Sequence, residues 1–143
     1  MTIAALLKAR THDHIISVEP AMAVHDLVAL LADKRIGAVP VLRGGSVVGI
    51  MSERDMIYGL RREGPSFLNR SVGEAMTTEV ITVRSDVSAL EALAMMTQRR
   101  IRHLPVVDDG QLVGFVSIGD LVKERMERIE REAAAMREYI QTA

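Results

Sequence analysis

The 143-residue chain has no cysteine and no tryptophan, and only two phenylalanines and two tyrosines. Without cysteine there is no disulfide and no thiolate chemistry, a composition that fits a reducing, cytoplasmic setting. With so few rings the chain lacks the stacking platforms that single-stranded nucleic acid needs. Charge of one sign is missing too. The 18 Lys and Arg stand against 19 Asp and Glu, so the net field favours neither nucleic acid nor an anionic membrane. No apolar run approaches the ~18 residues of a membrane span, and "MTIAALLKAR" carries no secretory signal pattern. There is also no G-x-G-x-x-G after a strand, no Walker A loop, no H-E-x-x-H and no Ser/His/Asp arrangement, so nothing points to catalysis.

What the chain does have is a repeat. An offset of 65 residues aligns 16–57 with 81–122 without a gap, and twelve of the 42 pairs are identical. Chance at this composition gives roughly two or three. Each copy reads as β-α-β-β-α, an α+β pattern. A β-branched strand ("HIISV", "EVITV") leads into a helix with apolar residues at helical spacing, Val24, Leu27, Val28 and Leu31 or Ala89, Leu93 and Met96. A strand ("AVPVL", "HLPVV") follows, then a turn at Arg43-Gly44-Gly45 or Asp108-Asp109-Gly110, where Gly supplies positive φ. A last strand ("VVGIM", "LVGFV") runs into a second helix. Pro40 and Pro105 cannot donate to a ladder, so their strands end or lie at an edge there.

These boundaries divide the chain into repeat 1 with an N-terminal lead-in (1–62), a connector broken by Gly64-Pro65 (63–76), repeat 2 (77–122) and a C-terminal helix (123–143). Each repeat alone is small, so the two are expected to share one core. In the last helix Val122, Met126, Ile129, Ala133, Met136 and Ile140 are spaced 4-3-4-3-4, an a/d seam. Glu124–Arg128 and Glu127–Arg131 are expected i,i+4 pairs beside it. The seam fits a helix lying on its own domain or one paired with a second chain.

Both repeats carry Gly-x-x-Ser-x-x-Asp where the last strand meets its helix: Gly49, Ser52 and Asp55, then Gly114, Ser117 and Asp120. One reading is an N-cap, with the hydroxyl accepting a first-turn amide and the carboxylate near the positive helix end. The same geometry makes an anion site, and a carboxylate one turn in accepts ribose hydroxyls. Gly49 and Gly114 either leave room for a ligand or mark a bulge. His12-x-His14 suggests a metal, but two histidines are too few for a zinc site, and a polar strand entry is the simpler reading.

The repeat, its "AVPVL"/"HLPVV" strands, its turn glycines and its paired Gly-x-x-Ser-x-x-Asp motifs resemble the CBS domain, in the tandem arrangement called a Bateman module. The resemblance covers 16–57 and 81–122 closely, and the lead-ins at 2–10 and 72–77 more loosely. It implies two repeats packed sheet to sheet about a pseudo-two-fold axis, two clefts between them, and disc-like homodimers. It also implies regulatory binding of an adenosine ligand: AMP, ADP or ATP, with NAD or S-adenosylmethionine as variants. An unknown downstream protein would receive the signal.

On that resemblance Asp55 and Asp120 take the ribose, supported by Ser52 and Ser117. Ser17 and Thr82 lie near adenine and ribose, and the backbone of Ala38, Val39 and Pro40 and of His103, Leu104 and Pro105 meets the base edge. Ile36 and Ile101 are apolar walls. Arg54, Arg102 and His103 are expected to bring cations to the Asp55 cleft. Their counterparts Gly119, Gly37 and Ala38 leave the Asp120 cleft without them. The alternative to a sensor is a dimerisation module with degenerate clefts.

Overall fold

The computed structural model describes residues 1–10 and 15–142; the His12-x-His14 pair lies outside them. The elements run α1 (Ile3–Ala9), α2 (Val24–Lys34), β1 (Ala38–Arg43), β2 (Ser46–Ser52) and α3 (Glu53–Glu63), then a 3-10 turn (Gly64–Asn69) and α4 (Val72–Ala75). The second unit follows with α5 (Ala89–Arg99), β3 (His103–Asp108), β4 (Gln111–Ser117) and α6 (Ile118–Thr142). Among the described residues no helix is long and apolar enough to cross a membrane.

β1 pairs with β2 and β3 with β4, each antiparallel. The hairpins close through two residues with positive φ, Gly44 (59°) and Gly45 (83°), then Asp109 (50°) and Gly110 (77°). Such turns match the twist of the strands they join. Opposite Val41 and Val106 the register slips by one residue, leaving a bulge at the same place in both hairpins.

The expected first strands are reduced to single parallel bridges, Val18 to Val41 and Val83 to Val106. The Val18 amide donates to the Pro40 carbonyl (3.2 Å) and the Leu42 amide to the Val18 carbonyl (2.8 Å). One step earlier the ladder needs an N–H from Pro40, or from Pro105 in the second unit, and neither has one. The prolines stop the ladder on that side only, because β2 and β4 still pair on the other.

The single shared core is not what forms. Val18, Leu27, Val39, Met51, Phe67 and Val72 belong to one buried cluster. Ile3, Leu6, Val83, Met96, Leu104 and Leu121 belong to another. Each unit is completed by a helix from outside its repeat. The Ile3 and Ala4 amides of α1 donate to Val87 and Ser85 of the second unit (2.8 Å each). In the same way Val72 and Gly73 of α4 donate to Met22 and Pro20 of the first (2.7 and 2.9 Å). These additions supply the apolar area that a bare repeat lacks.

α6 leaves its own unit after about its first two turns, Leu121 being its buried anchor. Beyond it Met126, Ile129, Met136 and Ile140 are 58, 49, 60 and 66% exposed, so the helix does not fold back onto the module. Arg128 pairs with Glu132 (3.2 Å) rather than with the expected Glu124.

Candidate functional site

Both motifs form their caps. Ser52 starts α3: its amide and hydroxyl donate to Asp55 Oδ2 (2.9 Å each), and the Asp55 amide donates to Ser52 Oγ (3.3 Å). Ser117 and Asp120 repeat the exchange at the start of α6, at 2.7 and 3.2 Å. Capping does not exhaust a carboxylate, which has about four acceptor positions. Beyond their caps the two carboxylates meet different groups, Asp55 through its second oxygen and Asp120 through the oxygen that already accepts the Ser117 amide. Thr77 Oγ1 donates to Asp55 Oδ1 (3.2 Å). At Asp120, the Arg10 guanidinium lies 2.8 Å from Oδ2.

Each carboxylate opens into a cleft built by both units. The Asp55 cleft, about 660 Å³, combines Ser52, Arg54 and Tyr58 with Ile81, Ile101 and Arg102 of the second unit. The Asp120 cleft, about 740 Å³, combines Ser117 and Phe115 with Lys34, Arg35, Ile36 and Ala38 of the first, and with Arg10. Both volumes lie in the range of small-molecule sites. His103 lines both clefts and stacks on Phe115, ring centroids 5.6 Å apart.

Several expected contacts are not brought to these clefts. Ser17 and Thr82 are exposed and line neither, since they flank the bridging residues Val18 and Val83 that point into the cores. Val39 and Leu104 are fully buried core residues. Pro40 and Pro105 are buried, line neither cleft, and turn their carbonyls to the amides of Val18 and Val83. The space beside the motif glycines is also taken. A Cβ on Gly49 would collide with Met76 Sδ, and one on Gly114 would sit 2.5 Å from Leu7 Cδ1. Both glycines admit a side chain from a lead-in segment, and Gly114 also lines the Asp120 cleft.

The expected absence of cations beside Asp120 also fails. Comparing only aligned motif positions overlooks Arg10, Lys34 and Arg35, which reach this cleft from α1 and the end of α2. Tyr58, Thr77 and Glu79 were likewise overlooked, because all three lie outside the aligned stretches 16–57 and 81–122. Burial pushes His103 below the ordinary imidazole range, against the opposing pull of Asp120 and Glu53. Burial would raise Asp120, but the Ser117 amide and the Arg10 guanidinium together hold its carboxyl below the usual carboxylate range.

Comparison with known proteins agrees with the repeat. The CBS domain family model matches residues 8–62 and 72–127. The CBS domain-containing protein CBSX3, mitochondrial, of Arabidopsis thaliana is 36% identical over 123 residues, 82% of this chain and 60% of that protein's length. A solved protein with CBS domains from Burkholderia ambifaria MC40-6 is 40% identical and superposes with a TM-score of 0.81, covering 89% of this chain and 95% of its own. The structure of CBSX2 in complex with AMP is 27% identical with a TM-score of 0.74, covering 88 and 96%. Two matched copies, folded as two equivalent units with a cleft at each motif, mean that the chain belongs to the CBS-domain family as a tandem pair.

Proposed function

We propose that this protein is a regulatory module that binds adenosine-containing nucleotides in the clefts between its two CBS units. The observation that carries the reading is the composite build of each cleft. A capped carboxylate with acceptor capacity to spare comes from one unit, and apolar and basic residues come from the other. A ligand held this way contacts both units and favours the arrangement that closes on it, which is how binding becomes a signal. The complex of CBSX2 with AMP supports this ligand class. AMP, ADP and ATP are the first candidates, with NAD and S-adenosylmethionine as further arms of a calorimetric panel. Asp55→Ala and Asp120→Ala should each weaken their own site about ten- to a hundredfold, the loss of a hydrogen bond to a charged group. Unchanged affinity in the double variant, with folding intact, overturns the reading.

The partner of α6 in this reading is a second copy of the chain. Its apolar stripe stands clear of the module, and the flanking charges suit parallel, in-register pairing. Arg125 then faces Glu130 of the second copy and Glu132 faces Arg137, opposite signs at both steps.

A further inference from the structure

His103 is set between the two clefts by the pairing of its strand. It opens β3 opposite Ser117, beside the Ser117 and Asp120 cap of its own unit. Its ring also reaches the first unit. A Cβ on Gly37 would lie 3.0 Å from Glu53 Oε1 and 3.8 Å from His103 Cε1, and the Gly37 carbonyl accepts from the Glu53 amide (2.9 Å) at the start of α3. Among the described residues only Gly37 and His103 line both clefts, and Gly37 has no side chain. The aligned position in the first unit is Ala38, which carries no titratable group. One imidazole therefore serves two clefts.

The ring is half-buried and stacked on Phe115, 11° from parallel. Asp120 of α6, Glu53 of α3 and the neighbouring Arg102 act on it through charge, none of them through a hydrogen bond. Further cations stand on either side, Arg54 and Arg100 in the Asp55 cleft and Arg10, Lys34 and Arg35 in the Asp120 cleft. Near neutrality the ring is uncharged, because burial holds its pKa below 6.5. A neutral imidazole has one N–H to donate and a protonated one has two. An anion in either cleft favours the protonated form, since an opposite charge within about 4–6 Å raises a histidine's pKa by about one unit or more. An anion arriving in the second cleft then meets a charge already formed. Resting on the adenosine-nucleotide reading above, we propose that His103 links the two sites: a phosphate in one cleft protonates the shared imidazole, and the protonated imidazole favours a phosphate in the other. The link is absent in acid, where the ring is charged before any ligand binds, and in alkali, where it is never charged. Between those limits a one-unit rise per ligand gives at most about threefold positive coupling.

The test is NMR and calorimetry on the full chain with AMP. The His103 ring signal, identified by its loss in His103→Gln, reports the pKa of the ring in place. Asp55→Asn and Asp120→Asn each leave one cleft intact. AMP that fills only the intact cleft should raise the His103 pKa by about one unit in both variants, each measured against its own ligand-free form. A rise in only one of them assigns the ring to a single site and overturns the proposal. Calorimetry in paired buffers of different ionisation enthalpy should show proton uptake on binding near neutral pH that fades towards about pH 5. His103→Gln, with its circular dichroism unchanged, should take up less and lose the positive coupling. Titration of the AMP phosphate and repulsion between two bound anions are common to both proteins, so the difference belongs to the imidazole. Equal uptake and equal coupling in the variant overturn the proposal. If AMP does not bind, the adenosine reading falls and inorganic tripolyphosphate decides the link alone. It stands if tripolyphosphate raises the His103 pKa from two sites per chain, and falls otherwise.

Discussion

His103 is the residue at which both clefts meet, and its environment makes stability depend on pH. Burial lowers its folded-state pKa from an ordinary value of about 6.5, outweighing the attraction of Asp120 and Glu53, with Arg102 lowering it further. Between that lowered value and 6.5 the unfolded chain binds more protons than the folded one, so stability rises with pH across this window. The penalty is fully present below the folded pKa and gone above the unfolded one. Urea titrations at stepped pH should show this slope, and His103→Gln should flatten it. An unchanged slope would mean the imidazole is solvated. The motif glycines give a second contrast. A Cβ on Gly49 meets Met76 Sδ and, at 2.9 Å, the Thr77 backbone carbonyl, whereas the atoms nearest one on Gly114 are all from the Leu7 side chain. Backbone cannot rotate away. Gly49→Ala should therefore cost about 1–3 kcal/mol and Gly114→Ala clearly less, as read from denaturant midpoints.

Among the elements, α6 carries the self-association proposed above. Its stripe is half or more exposed at Met126, Met136 and Ile140, an arrangement that a monomer leaves in water. Light scattering at micromolar concentration should find a dimer, and truncation after Val122 should weaken it while nucleotide binding survives, since both clefts lie upstream. Glu130→Arg should weaken the dimer by setting two arginines opposite each other, and adding Arg125→Glu should restore it. A full-length monomer with and without nucleotide rules out this pairing. The spacing of the seam was readable because a helix repeats its faces every 3.6 residues. What lay against that face was not, because periodicity records that a face is apolar and not what covers it. The lost first strands have a similar origin. "HIISV" and "EVITV" have the composition of strands, but whether a ladder extends depends on the neighbouring segment, and there the neighbour is a proline.

For the molecule as a whole, the exchange of lead-in helices makes α1 part of the second unit's stability. Ile3 is completely buried and Leu6 nearly so, both in the second unit's core. Ile3→Ala should cost about 2–4 kcal/mol, the price of a buried large-to-small change. Its first effect should be faster hydrogen exchange in α5 and β3, while α2 and β1 stay protected. Equal loosening of both units would show that the two cores unfold as one. Nucleotide at a hundredfold excess over its Kd should return about 2.7 kcal/mol through linkage, since a ligand in either cleft contacts both units.

The sequence by itself determined the repeat, the hairpins with their glycine turns, the capped Ser-x-x-Asp motifs and the family. Each of these is local: side-chain periodicity, positive φ and a hydroxyl three residues from a carboxylate are settled within a few positions of chain. It also paired Asp55 with Arg102 and His103 by resemblance to the family. The tertiary structure decided what touches across the chain. It split one expected core into two, buried Val39, Pro40, Leu104 and Pro105 away from the clefts, left Ser17 and Thr82 outside them, and filled the space beside Gly49 and Gly114 with Met76 and Leu7. Above all it carried Arg10 across more than a hundred residues of chain to Asp120. A contact at that separation leaves no periodicity or spacing in the sequence, because it is fixed by where α1 packs and not by any residue near either partner.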